Sequence, residues 1–147
     1  MSVVILYGTE TGTGELVADA IADALNQHDP SIYDMSEYAV EDLDPADFLV
    51  IVCSTYGEGE LPTGAEPFAD ELESVNPDLS GLRFAVFGLG DSIYDTFNRG
   101  GEIVAEMLTK RGAVQVGEHA RHDSSSSVKP AKQAEEWAEG IADLVEG

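Results

Sequence analysis

Three short stretches of this chain, residues 3–6, 48–53 and 84–87, are apolar without a break. A strand with one wet face alternates apolar and polar residues, so a strand that is apolar at every position must be covered on both sides. Between these runs lie segments with apolar residues three and four apart, the mark of helices lying on a sheet. Few folds satisfy both patterns. The expected one is a three-layer, doubly wound α/β domain with a mainly parallel sheet.

The chain reads as five strands and the helices between them. Residues 3–7 form the first strand. Residues 15–27 form a helix with Leu16, Val17, Ala20, Ile21, Ala24 and Leu25 on one stripe, ended by Asp29 and Pro30. Residues 31–35 are a weak second strand, and 37–45 a polar connection anchored by Val40 and Leu43. Residues 48–53 are the third strand, 66–75 a short helix and 83–87 the fourth strand. Residues 100–111 form a helix with Ile103, Val104, Met107 and Leu108 inward, stopped by Gly112. The fifth strand starts at 114–116, and 124–127 is a serine-rich turn. Residues 130–145 close the chain as a helix whose Trp137, Ile141 and Leu144 face the core. With 147 residues, no repeat and no linker, residues 1–147 read as a single domain. No apolar run approaches the ~20 residues that cross a bilayer. The start of the chain has no leader pattern, so a cytoplasmic protein is expected.

Charge narrows the partners. The chain carries 29 acidic and 7 basic residues, a net charge of −22. Nucleic acid and anionic membranes are poor partners for such a surface. The acids suit either docking of basic redox partners or adaptation to high salt. Scarce lysine (Lys110, Lys129 and Lys132 only) and acids in every segment favour salt adaptation, and the two uses are compatible. Cys53 is the lone cysteine and closes an apolar run. It reads as a core residue and can form neither an internal disulfide nor a thiolate metal site. His28, His119 and His122 show no ligand spacing. They read as surface residues, or at best as pH-sensitive neighbours of a site.

In a doubly wound sheet, ligands bind beyond the carboxyl ends of the strands. Three loops leave the strongest strands there, and each carries unusual residues. The first, Y-G-T-E-T-G-T-G-E from Tyr7, has hydroxyls on Thr9, Thr11 and Thr13, and Gly12 and Gly14 where backbone amides can approach an anion. It has no lysine or arginine, and Glu15 stands where a triphosphatase loop needs lysine. A dianion held here would rest on neutral donors and a helix N-terminus; alone, the turn is nearly as well explained as a helix cap without a ligand. The second loop, S-T-Y-G-E-G-E-L-P from Ser54, adds the Ser54 and Thr55 hydroxyls, the Tyr56 ring and the backbone freedom of Gly57 and Gly59. The third, G-L-G-D-S-I-Y-D-T-F-N from Gly88, offers backbone amides near Gly88 and Gly90 and aromatic area at Tyr94 and Phe97. Two tyrosines on facing loops suit a planar heterocycle.

These three motifs together resemble the flavodoxin family, including the FMN domains of diflavin reductases, over essentially the whole chain. P-D-L-S-G-L-R-F from Pro77 and G-A-V-Q-V-G-E from Gly112 are similar to the short MioC-type flavodoxins. The resemblance implies a five-stranded parallel sheet in the order 2-1-3-4-5, a flavodoxin-like fold that binds FMN at its switch point. It implies that Thr9, Glu10 (through its backbone N–H), Thr11, Gly12, Thr13, Ser54 and Thr55 surround the FMN phosphate. Tyr56 and Tyr94 would flank the isoalloxazine, with Gly57, Glu58 and Gly59 beside it. Leu89, Gly90 and Asp91 would meet its polar edge by backbone contacts, Phe97 and Asn98 would close the third loop, and Asp123 would approach from the fifth. Gly14 departs from the family, where many members carry a side chain, and Tyr56 replaces the tryptophan of many stand-alone flavodoxins. No long insertion interrupts the fifth-strand region, as in the short-chain class.

The resemblance further implies a monomeric electron-transfer protein rather than an enzyme, passing low-potential electrons between a reductase donor and an acceptor protein. FMN would cycle between semiquinone and hydroquinone, with the Gly57 carbonyl accepting a hydrogen bond from the protonated flavin N5. Glu58, Glu60, Asp91 and Asp95 in the flanking loops would disfavour the reduced anion. Two alternatives stand beside this: an FMN-dependent reductase, for which the chain has no second dinucleotide fingerprint, and a non-redox FMN-binding regulatory module. A phospho-acceptor receiver is rejected, because Tyr7-Gly8 and Ser54-Thr55 occupy the positions its acids need.

Overall fold

The computed structural model describes residues 3–8, 13–54, 65–90, 99–117, 119–123 and 126–146. Strands and helices alternate along it: β1 (Val3–Gly8), α1 (Thr13–Ala24), β2 (Ser31–Asp34), β3 (Phe48–Ser54), α2 (Glu66–Val75), β4 (Arg83–Gly90), α3 (Arg99–Lys110), β5 (Val114–Gln115), β6 (Ala120–Asp123) and α4 (Pro130–Glu146). The strands are parallel in the order β2-β1-β3-β4-β5, with β6 also paired to β4.

The continuous apolar runs are explained by the two faces they serve. Along β3, Phe48, Val50 and Val52 point to one side, where Val17, Ala18 and Ile21 of α1 and Ala134, Ala138, Ile141 and Val145 of α4 cover them. Leu49, Ile51 and Cys53 point to the other side, against Phe68 and Leu72 of α2 and Val104 and Leu108 of α3. Each fully buried Val, Leu, Ile or Phe contributes about 1.5–3 kcal/mol, so a polar residue anywhere in this strand would be costly.

Helix ends are set locally. Asn76 stops α2 in the left-handed region at φ 47°, its N–H donating to the Leu72 carbonyl at 2.9 Å. Gly112 follows α3 at φ 102°, as expected for a helix stop. Arg111 ties the two helices, donating from Nε to the Leu72 carbonyl (3.0 Å) and from a terminal nitrogen to the Met107 carbonyl (2.9 Å). Arg83 does the same for α4, reaching the Leu144 and Val145 carbonyls at 2.7 and 3.0 Å while its guanidinium lies 5.6 Å from the centre of the Phe48 ring.

Several expectations need correction. Leu16 is 64 % exposed and lies off the buried stripe of α1, which is Gly14, Val17, Ala18 and Ile21, continued by Leu25 beyond the helix. On α4 the buried residue is Val145; Leu144 is 39 % exposed. On α3, Ala105 is buried where Ile103 was expected, and Ile103 is half-buried. Strand β4 runs on through Gly88, Leu89 and Gly90, which the sequence placed in a loop. The fifth position is filled by two segments. Val114 faces Arg83 and Ala120 faces Phe87, so the edge takes six steps where β4 takes four. The two extra residues lie between these segments, where the chain turns at Gly117, with φ 74°.

Candidate functional site

The carboxyl ends of the strands finish in register. Gly8 of β1 pairs with Cys53 of β3, Cys53 with Gly88 of β4, and Gly88 with Arg121 of β6. One step further, Ser54, Leu89 and His122 form the next row, and Gly90 pairs with Asp123. The chain therefore leaves the sheet at Gly8, Ser54 and Gly90 along one edge. At about 4.8 Å between neighbouring strands, β1 to β6 spans roughly 14 Å.

Gly8 is required by packing rather than by its backbone angles. A Cβ there would fall 2.7 Å from the Ala65 Cβ and 3.0 Å from the Met35 Sδ. Only a residue without a side chain lets the end of β1 lie against Ala65, where the chain re-enters the described structure ahead of α2. The ends of the first and second loops are thereby drawn together. A signal for this was present, a glycine closing an apolar strand directly before a turn, but the expected site did not include it.

Thr13 is the first residue of α1, and its buried neighbour Gly14 is the second. Their N–H groups belong to the first turn, whose amides point out along the helix axis and carry its positive end. Ser54 is half-buried at the last position of β3. By strand alternation its side chain faces the α1 side of the sheet, the side that holds Val52. A hydroxyl and a helix N-terminus on one face form a donor set for an oxyanion without a metal or a cation. Among the described residues no cluster of His, Cys, Asp and Glu could hold a metal.

The local field is negative. The Tyr7 phenol is pushed up from its ordinary 10.0, first by burial and then by the carboxylates of Glu15, Asp34, Glu37 and Asp19. Cys53, fully buried behind the site, is pushed up to about 12 by burial, so it stays a neutral thiol. It is the core residue expected.

Leu89 and Gly90 lie in β4, their backbones engaged with β3 and β6, and the Leu89 side chain is 6 % exposed. Asp123 closes β6, half-buried beside Gly90. The structure thus brings Thr13, Ser54, Leu89, Gly90 and Asp123 to one end of the sheet. Thr9, Glu10, Thr11, Gly12, Thr55, Tyr56, Gly57, Glu58, Gly59, Asp91, Tyr94, Phe97 and Asn98 lie outside the described residues.

Two histidines differ from expectation. His122, expected at the surface, is 4 % exposed, with Nδ1 2.8 Å from the Gln133 Oε1 of α4. It joins the end of β6 to α4, one residue from Asp123. His119 lies between β5 and β6, directly before Ala120. Its Nε2 is buried and unpartnered among the described residues, and the Gln115 amide donates to its Nδ1 at 3.4 Å. Burial, then the Arg121 guanidinium, lowers His119 from 6.5 to about 4, against the pull of Glu102. Neither could be found from spacing, because the partners are set by the fold and not by a local motif.

Comparison with known proteins agrees with this geometry. The family model described as Flavodoxin matches residues 5–137. A MioC homologue of Haemophilus influenzae is 34 % identical over 147 residues, covering 100 % of this chain and 99 % of that protein. The NADPH–cytochrome P450 reductase of Homo sapiens is 34 % identical over 137 residues, 87 % of this chain but 20 % of the reductase. The chain thus spans about a fifth of the length of those reductases. Among solved structures, a cysteine-to-serine mutant of flavodoxin from Pseudomonas aeruginosa superposes with a TM-score of 0.88 at 34 % identity, covering 100 % of both chains. Oxidised flavodoxin 2 from Bacillus cereus gives 0.85 at 32 % identity, covering 98 % of this chain and 99 % of the other.

Proposed function

This chain belongs to the flavodoxin family of FMN-binding electron-transfer flavoproteins, and we propose that it shuttles low-potential electrons one at a time between redox partner proteins. The observation that carries the reading is the in-register edge of Gly8, Ser54 and Gly90 beside the N-terminus of α1. It sets three loops that carry threonines, glycines and aromatic residues on adjacent strands, which supports the reading. FMN, when bound, supplies the redox chemistry by accepting and releasing single electrons.

The protein's part is to hold, orient and bias that group. We assign Thr9, Thr11, Thr13, Ser54 and Thr55 to the phosphate through hydroxyls, with Glu10 and Gly12 contributing backbone N–H groups. Tyr56 and Tyr94 cover the ring faces, each stack adding ~0.5–1.5 kcal/mol beyond burial. Gly57, Glu58, Gly59, Leu89, Gly90, Asp91, Phe97, Asn98 and Asp123 complete the surround. The carboxylates that raise Tyr7 make the same end of the sheet unfavourable to added negative charge, which favours donating the last electron over keeping it. Two hydrophobic clusters share one sheet, which supports reading residues 1–147 as one FMN-binding domain. No helix among the described residues is long and apolar enough to cross a membrane.

Stepwise reduction followed by visible spectroscopy tests this function. Two separated one-electron steps are expected; a single concerted two-electron step would count against the carrier. The likeness to NADPH–cytochrome P450 reductases favours one further comparison. If NADPH alone bleaches the bound flavin rapidly, the chain acts as a reductase instead.

A further inference from the structure

Strand β2 is one edge of the sheet and pairs with β1 alone. Among the described residues nothing pairs with its outer side, so Ser31–Asp34 offers open backbone N–H and C=O groups to a further strand. By strand alternation Tyr33 follows Leu6 to the α2 side of the sheet. Its ring packs on Tyr38, with ring centres 5.1 Å apart and planes at 52°, yet it stays 44 % exposed. Tyr38 is held from behind. Its hydroxyl donates to the Asp42 carbonyl at 3.1 Å, and the Val40 N–H, two residues on, donates to the Glu71 carboxylate of α2. The tyrosine pair is therefore a fixed feature of this edge.

The charge beside it has one sign. The Tyr38 phenol is pushed up to about 12, first by burial and then by Asp42, Asp47, the Tyr33 phenol and Asp44. No lysine or arginine precedes Arg83, and among the described residues Asp34, Glu37, Asp42 and Asp44 make no ion pair. The opposite edge differs: it is broken into β5 and β6, and Lys110 and Arg121 stand there with Glu102 and Glu106. Carboxylates beside an open edge repel a second copy of the same charge and so guard against self-pairing. They attract a cationic strand. A lysine or arginine laid along β2 would meet the exposed Tyr33 ring, a cation–π surface, with carboxylates next to it.

We infer that the β2 edge is a docking site for a basic partner protein: a lysine- or arginine-bearing strand of that partner adds to Ser31–Asp34, with its cations held by the Tyr33 ring and the carboxylates of Asp42 and Asp44. Main-chain hydrogen bonds supply adhesion in such strand addition, and charge supplies the choice of partner. The inference goes beyond the carrier reading and does not rest on it, since the surface is tested without flavin.

The test titrates the isotope-labelled protein with a synthetic peptide of alternating lysine and valine, followed by NMR at about 0.1 M salt, where charges act over about 10 Å. The amides of Ile32, Tyr33 and Asp34 should shift and exchange more slowly with solvent, and a glutamate–valine peptide should leave them unchanged. Tyr33→Ala should weaken the lysine peptide about two- to fivefold, the scale of an exposed cation–π contact. Asp42→Asn with Asp44→Asn should weaken it about fivefold, as for two exposed ion pairs. That pair keeps a side-chain oxygen for the Ala46 N–H, which Asp44 accepts at 2.9 Å, and carries the test if Tyr33→Ala does not fold. Glu135→Gln with Glu139→Gln changes the net charge equally on α4, across the sheet, and should cost less than about twofold. Shifts confined to other residues, wild-type affinity in either β2-edge variant, an equal loss in the α4 variant, or binding of the glutamate peptide would overturn the inference. So would shifts of the same amides as the protein alone is concentrated, which would seat a second copy there.

Discussion

Replacing His119 with phenylalanine should make the protein more stable, and more so in acid. At neutral pH the gain comes from the unpartnered Nε2. Gln115 donates to Nδ1, so the neutral ring carries its proton on Nε2, pointing at Gly101 without an acceptor among the described residues. Removing a buried, unpaired polar group is worth about 1 kcal/mol. In acid a second effect is added. The folded protein holds His119 at about 4 and the unfolded chain at an ordinary 6.5. Between these values the unfolded state binds the proton and the folded state does not, so stability falls as pH drops from 6.5 toward 4 and the penalty is complete below 4. For a wholly sequestered ring this would reach about 2 kcal/mol at about pH 5; the ring is half-buried, and solvent screening reduces it to about 1 kcal/mol. Phenylalanine does not titrate. Urea unfolding of the apo-protein at about pH 7 and about pH 5 should therefore show a gap between variant and wild type that widens from about 1 to about 2 kcal/mol. The carboxylates titrate alike in both proteins and cancel. A gap that is constant or shrinks in acid would refute the buried, neutral imidazole.

Substitutions elsewhere separate packing from binding. Gly8→Ala places a methyl 2.7 Å from the Ala65 Cβ; overpacking of this kind costs about 1–3 kcal/mol, and FMN affinity should fall as the second loop is displaced, read by flavin fluorescence. Arg83→Lys loses the fork that reaches two α4 carbonyls and most of the contact with Phe48, a loss of about 1–2 kcal/mol in thermal or urea unfolding with flavin binding preserved. Thr11→Ala should weaken FMN far more than riboflavin, because only FMN carries the phosphate; equal losses by titration calorimetry would place the phosphate elsewhere.

The sheet was legible because burial on both faces leaves no freedom of composition: residues 48–53 could be little else. Helix faces were less legible. Gly14, Val17, Ala18, Ile21 and Leu25 follow the helical step, but Leu16 has the larger apolar side chain and was credited over Ala18, although it lies about 200° around the axis from that alanine. Val145 and Leu144 were exchanged in the same way at the end of α4. The glycines of β4 suggested a loop because glycine weakens a strand, yet pairing with β3 and β6 holds Gly88 and Gly90 in the sheet. The roles of Gly8, His119 and His122 depend on Ala65, Gly101 and Gln133. Those are contacts between separate elements, which no local pattern encodes.

The distribution of charge bears on why the proposed phosphate turn carries no cation. No lysine or arginine precedes Arg83, so β1, α1, β2, β3 and α2 are built without a cation. The proposed phosphate turn lies within that half, and the carboxylates that, after burial, raise Tyr7 make the field at that end of the sheet unfavourable to anions. A lysine in the turn would relieve the repulsion, but it would also stabilise the reduced, negatively charged flavin and so raise the potential of its last electron. Hydroxyls and helix N–H groups act differently. They hold an oxyanion at hydrogen-bond range, and their dipolar fields fade faster with distance than that of a full charge. A turn of threonines and glycines could thus bind the proposed phosphate without adding a cation to the negative field that the carboxylates around Tyr7 set at this end of the sheet. The missing cation in the turn and the low potential of the proposed carrier are then one design.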